Sequence, residues 1–395
     1  MLKVKLIFIT LLFLITNITA QQMNSINKYK EIISEVKKEF APDKRTAIFN
    51  VEVKESGSNI VLSGETNIPE AKEKLLSKIN DKNIGDEIQI LPEKSLGDKI
   101  YGIIKLSVAN IRTHHANSAE MATQAILGTP IKIYKKYHGW YLVQTPDNYI
   151  GWMDFDGAQL MNLDEFNEWE NSKKVIVTTI YGFSHSSAEK KSTPVSDIVE
   201  GDIFKFLEKD GNFVKVEYPD KREAYVSTNE VENYSNWLKS RKIDANDVIK
   251  TAKTFMGIPY MWGGTSTKAF DCSGFTKTVY FLNGVMLPRD ASQQVHTGEL
   301  VDTKNGFQNL KPGDLLFFGR KATDSTAERI THVALYIGDT EFIHASGRVR
   351  INSLDKSRPN YSDYRFNQFV RAKRILTSLD KNGVEKLQSM KYYSK

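Results

Sequence analysis

The sequence predicts a multidomain protein: a small α+β domain, two small β-barrels and a C-terminal α+β domain, in that order. Three observations predict it. A β-β-α-β pattern occupies residues 45–95, a set of short turn-separated strands over 98–160 recurs over 174–232, and a helix followed by strand-like runs fills 240–375. The length of 395 residues suits several domains of roughly 150 residues each.

The first twenty residues set the compartment. Lys3 and Lys5 precede the apolar run Leu6–Ile15, which closes on Asn17-Ile18-Thr19-Ala20. This is the pattern of a signal peptide over 1–20, too short for a comfortable membrane span. Ile18 is larger than such cleavage sites favour, which leaves a retained N-terminal anchor as the alternative. No cysteine follows the run, so lipid attachment there is not expected, and no stable membrane insertion of the mature chain is expected. The expected location is export, to the periplasm.

Between 45 and 95, Ala47–Val53 alternates, Asn59–Gly64 forms a second run across a Gly57-Ser58 turn, Pro69–Ile79 has helix formers behind a proline, and Ile88–Leu91 returns to strand. Residues 23–45 read as polar and weakly helical. In the first barrel the expected strands are Ile103–Val108, Pro130–Tyr134, Trp140–Gln144 and Tyr149–Trp152. In the second they are Lys174–Thr178, Asp202–Phe206, Asn212–Val216 and Arg222–Val226. Both copies run as an apolar strand, a Gly turn, an aromatic-led strand and a short last strand, which points to duplication.

Composition narrows the chemistry. With 54 Lys and Arg against 48 Asp and Glu, the formal charge is +6, modest and dispersed, and gives no reason to expect a nucleic-acid partner. One cysteine excludes an internal disulfide framework and any multi-cysteine metal cluster. That cysteine, Cys272, falls at the start of an amphipathic helix behind a loop rich in Gly and aromatics. A helix N-terminus stabilises a thiolate, so the thiol is expected below its usual value of about 8.5. The charge of Asp271 would oppose this if it faced the sulfur, so its carboxylate is expected to point elsewhere. An inert buried thiol is the competing reading.

Of the seven histidines, His332 and His344 flank a hairpin. A three-residue loop Gly338-Asp339-Thr340, with Ile337 facing Glu341, puts both imidazoles on one face of adjacent strands. Diagonal neighbours on one face lie roughly 7–8 Å apart. A nucleophile, a base and an orienting group result: Cys272, His332 and His344. The Cys272 backbone N–H is the expected oxyanion donor. On spacing alone, two core histidines and a buried thiol remain open.

The residues Gly257–Gly264 (GIPYMWGG), Phe270–Phe275 (FDCSGF), Leu287–Gln294 (LPRDASQQ), Lys311–Phe318 (KPGDLLFF) and Thr331–Gly338 (THVALYIG) resemble, in order, the blocks of the NlpC-type cell-wall cysteine peptidases. The resemblance covers about 240–375 and implies a papain-like core with Cys272, His332 and His344 as its triad. It implies hydrolysis of the γ-D-glutamyl bond to a diamino acid in peptidoglycan stem peptides, with no cofactor and no metal, and with peptidoglycan-derived peptides as partners.

The barrels resemble bacterial SH3-like domains. The combination resembles a subgroup of γ-D-glutamyl-L-diamino acid endopeptidases that act on stem peptides with a free N-terminal L-Ala. In that subgroup the first barrel closes the cleft, which implies substrate contacts from Glu120 and Tyr149. Asp271 is then implied to pair with the substrate ammonium, with Tyr260, Trp262, Ser273 and Ser292 lining the pocket. Tyr149 as barrel core and Glu120 as a solvated loop residue are the plainer readings. The alternatives are a non-catalytic wall-binding protein, or an amidase or acyltransferase on the same core. Residues 45–95 and the tail after 375 are left without a role, and the oligomeric state is left open.

Overall fold

The computed structural model describes residues 23–56 and 59–394. The signal-peptide expectation at 1–20 and the Gly57-Ser58 turn lie outside the described residues. The chain forms two compact units, divided after Gly97.

In the first unit, strands Phe49–Ser56 and Asn59–Thr66 pair antiparallel, and Asn59–Thr66 pairs parallel with Gly85–Ile90. A parallel pair needs a crossover, which helix Pro69–Ile79 supplies. The unit begins earlier than 45, because a helix covers 23–40. Its Tyr29, Ile33 and Val36 recur at helical spacing and join Phe49, Leu62, Leu75 and Ile88 in one core. Ile32 and Phe40 of the same helix pack against that core.

The second unit opens with two seven-stranded antiparallel sheets. Strands Tyr101–Ile104, Val108–Arg112, Met121–Ile126, Pro130–Tyr137, Trp140–Gln144, Ile150–Asp154 and Ala158–Met161 form the first. Strands Lys174–Val177, Tyr181–His185, Pro194–Val199, Ile203–Asp210, Phe213–Glu217, Glu223–Ser227 and Val231–Asn233 form the second. Numbered within each copy, both run 7-1-4-5-6-2-3 across the sheet. A short helix follows each, Leu163–Asn171 and Tyr234–Ser240. The expected single strand over 103–108 is two strands. Strand Met121–Ile126, whose sequence MATQAI does not alternate, was not expected. Asp202 joins the copies, its buried carboxyl accepting from the Leu127 and Val199 N–H groups at 3.1 and 2.9 Å.

In the last part, helix Cys272–Leu282 packs on a six-stranded antiparallel sheet. Leu315, Phe317, Val333, Leu335, Ile343 and Ala345 of the sheet share its core. Alternate residues (Leu316, Phe318, Ala334, Tyr336, Phe342) fill a second core on the opposite face. The fold does not stop at 375. Strand Glu385–Lys386 pairs with Val285–Met286, and Tyr393 is buried against Phe281, its carbonyl accepting from Tyr234 Oη at 2.8 Å. The tail is therefore part of the packed body, held by Leu387, Met390 and Tyr393.

Candidate active site

Cys272 is the first residue of its helix, and Asp271 caps it by accepting from the Gly274 N–H at 2.7 Å. Glycine is required at 274, where a Cβ would stand 1.9 Å from the Gly264 carbonyl oxygen. The helix start is thus pressed onto the loop before it. That loop in turn lies on the first seven-stranded sheet: Thr265 Oγ1 donates to the Gln124 carbonyl at 2.9 Å and accepts from the Gln124 N–H at 3.0 Å. Gln124 Oε1 accepts from the Thr265 N–H and from Ser266 Oγ. Four buried hydrogen bonds therefore fix strand Met121–Ile126 against the loop before Cys272.

The hairpin holds the histidines. Leu335 faces Ile343 and Tyr336 faces Phe342, which keeps His332 and His344 on one face. The turn differs from expectation. Gly338, not Ile337, faces Glu341, and Asp339 and Thr340 form a two-residue turn with φ of 49° and 65°. Two positive φ values match the twist of the flanking strands, and the displaced Ile337 is taken up as a bulge.

The hydrogen bonds determine the imidazole tautomers. Asn352 Nδ2 donates to the Asn360 carbonyl at 2.9 Å, which orients the amide and leaves Oδ1 as acceptor for His344 Nε2 at 2.9 Å. His344 Nε2 therefore carries hydrogen and Nδ1 accepts, so His332 Nε2 donates to it at 2.7 Å. His332 Nδ1, beside its own backbone, keeps its lone pair. The N–H of the next residue, Val333, reaches the Cys272 sulfur, as does that of Ser273. The backbone next to His332 thus lies against the sulfur. Burial holds His332 well below the usual histidine range, and His344, Arg365 and Arg350 add to the drop. Burial likewise pushes His344 down to about 3. Both rings are neutral at neutral pH.

The thiol contradicts the lowered value expected from its helix start. Burial pushes Cys272 up to about 11, and the Asp271 charge adds to the rise. Desolvation in a closed site outweighs a partial helix charge and two N–H contacts. The resting group is a thiol beside a neutral base.

Asp271 also differs from its expected role. Oδ1 accepts from the Gly274 N–H, Arg289 Nη1 (3.2 Å) and Ser273 Oγ (3.3 Å). Oδ2 accepts from the Gly263 N–H (3.0 Å) and Arg289 Nη2 (2.5 Å). A carboxylate has about four lone-pair sites, so five donors leave no room for a substrate ammonium. Asp271 anchors Arg289, whose Nε reaches Thr123 of the first sheet at 2.8 Å.

The other expected pocket residues fall on the same side. Tyr149 is buried, and its hydroxyl donates to Asp290 Oδ2 at 3.2 Å. Trp262 is 63% exposed, forming a rim, and its Nε1 donates to Glu120 Oε1 at 2.7 Å. Tyr260 is half-buried, and its phenol is pushed up to about 12 by burial and by the charges at Cys272 and Asp271. Ser273 is buried and accepts from Arg289 Nη1 at 3.0 Å. Ser292, half-buried, stands in the first turn of helix Ala291–Gln294.

A gamma-D-glutamyl-L-lysine dipeptidyl-peptidase of Bacillus cereus is 33% identical over 271 residues, 66% of this chain and 77% of that one. Residues 257–371 match the NlpC/P60 family. The chain belongs to the NlpC/P60 family. It is a cysteine peptidase of that family. Residues 111–156 match the bacterial dipeptidyl-peptidase Sh3 domain. A second gamma-D-glutamyl-L-lysine dipeptidyl-peptidase, from Bacillus subtilis, is 28% identical over 231 residues, 56% of this chain and 71% of its own. The crystal structure of an NlpC/P60 family protein from Bacillus cereus superposes with a TM-score of 0.58 at 26% identity, over 70% of this chain and 99% of that one.

The NlpC/P60 match contains Cys272, His332 and His344, and the Sh3 match contains Glu120 and Tyr149. Sequence reasoning missed Asn352, Arg289 and Asp290 as parts of this site. Arg289 and Asp290 lie inside a quoted block without an evident partner, since theirs come from 271 and 149. Asn352 is cross-strand and diagonal to His344, a relation visible only once the third strand is paired. A raised thiol has a direct consequence. Alkylation of the resting NlpC/P60 protein by iodoacetamide should quicken about tenfold per pH unit from pH 7 to 10. A rate already flat below pH 7 would show a preformed thiolate instead.

Proposed function

We propose that this protein is an exported γ-D-glutamyl-L-diamino acid endopeptidase acting on peptidoglycan stem peptides with a free N-terminal L-Ala. The observation that carries the chemistry is the ordered chain Asn352–His344–His332, with the backbone N–H of the next residue, Val333, on the Cys272 sulfur. His332 Nδ1 takes the thiol proton as sulfur attacks the γ-carbonyl carbon. The oxyanion is met by the Cys272 N–H, which has no partner among the described residues. The imidazolium, disfavoured by burial and two arginines, gives its proton readily to the leaving amine. Water, deprotonated by the same nitrogen, then cleaves the thioester. His344 and Asn352 position the base.

The free-amine requirement is supported by the acidic and phenolic groups that meet where the first sheet packs on residues 262–290. Glu120 and Tyr149, each one residue ahead of a strand of the first sheet, bond to Trp262 and Asp290. Two carboxylates and a phenol oxygen there suit an α-ammonium, and Asp290 takes the part expected of Asp271. No described helix is long and apolar enough to cross a membrane, and the cell-wall substrate agrees with action outside the cytoplasm. Acetylating the L-Ala amine of L-Ala-γ-D-Glu-diaminopimelate should lower kcat/KM at least about a hundredfold, the loss of a charge-assisted contact in a partly buried site. Equal rates on capped and free peptide would reject the ammonium pocket.

A further inference from the structure

Two guanidiniums border the histidine pair with no carboxylate to neutralise them. Arg350 lies directly across from His344 in the strand register, so its side chain leaves the sheet on the imidazole face. It is exposed, and its hydrogen bond is a long one to Ser346 Oγ, at 3.5 Å. Arg365, half-buried on the short helix Asp363–Asn367, stacks over Phe318 at 5.8 Å and Tyr364 at 5.1 Å. The Phe318 ring is 5.8 Å from that of His332. Arg289, Arg371 and Arg374 each hold a carboxylate, from Asp271, Glu328 and Asp314. Among the described residues no acidic side chain pairs with Arg350 or Arg365. Each charge bears on both imidazoles, and they repel one another.

The leaving amine must take its proton from His332, so groups that face the histidine pair stand beside the leaving residue. The acyl end, with Glu120 and Asp290, is anionic, and this end is cationic. We propose that Arg350 and Arg365 form a leaving-side subsite for a carboxylate borne on the diamino acid side chain, so that this chain prefers diaminopimelate to lysine. Guanidinium groups hold carboxylates by paired charge-assisted hydrogen bonds. A lysine ammonium would instead meet two like charges. The inference rests on the γ-D-glutamyl reading and adds the identity of the residue released.

The test compares L-Ala-γ-D-Glu-meso-diaminopimelate with L-Ala-γ-D-Glu-L-Lys on wild type, Arg365→Gln and Arg350→Gln. Wild type should favour the diaminopimelate peptide by about tenfold in kcat/KM. Either variant should shrink that ratio, chiefly through KM, and amidating the side-chain carboxylate should mimic the variants. Equal wild-type rates, an unchanged ratio in both variants, or a loss seen only on amidating the D-Glu or terminal α-carboxylate would overturn the proposal. Calorimetry of both peptides on Cys272→Ala separates the two claims. Tighter binding of the diaminopimelate peptide without cleavage of either peptide by wild type would keep the subsite and reject the bond assignment. Equal binding would reject the subsite.

Discussion

Replacing Cys272 by Ala should lower stem-peptide turnover at least about a thousandfold while the protein stays folded. Removing the nucleophile from a unit that acts together forfeits the covalent route entirely, and what persists comes from binding and oxyanion contacts. The cost to the fold is small, because only a sulfur is lost from a site that is 8% exposed, of the order of 1 kcal/mol. Unchanged thermal unfolding together with lost activity is the expected pair of results. Turnover within tenfold of wild type would show that another group attacks.

The largest effect on stability should come from Arg289→Met. Arg289 is 1% exposed and Asp271 7%, and the guanidinium is held charged by the Asp271 contact against the penalty of burial. Removing it leaves the Asp271 carboxylate buried with only backbone N–H groups and the Ser273 hydroxyl. Breaking one partner of such a pair costs about 3–5 kcal/mol. It also frees Thr123 Oγ1, loosening the first sheet from the cleft. Adding Asp271→Asn should recover part of the loss, since no charge is then stranded. Denaturant unfolding of the two single variants and the double variant measures this. Strict additivity would mean that the pair does not act as a unit.

These residues also show how far the sequence could be read. The helix start at Cys272 and the shared face of His332 and His344 were legible because a helix start and a strand alternation are local patterns, and the hairpin register follows from its turn even though the bulge at Ile337 does not. The two repeated sheets were legible as a repeat of apolar runs, but their number of strands was not, since MATQAI at 121–126 earns its place through Gln124 and Thr265 rather than through alternation. What failed depended on tertiary surroundings. The thiol is raised because the domain closes over it, and Asp271 is engaged because Arg289, 18 residues on, turns back to it. The burial of the tail after 375 and of the helix over 23–40 shows only in the packed fold.

The most direct measurement is mass spectrometry of the products from L-Ala-γ-D-Glu-meso-diaminopimelate, incubated with wild type and with Cys272→Ala. The expected result is L-Ala-D-Glu and free diaminopimelate from wild type, and intact tripeptide from the variant. Free L-Ala with the remaining dipeptide, or the same products from both proteins, would contradict a Cys272-dependent cut at the γ-D-glutamyl bond.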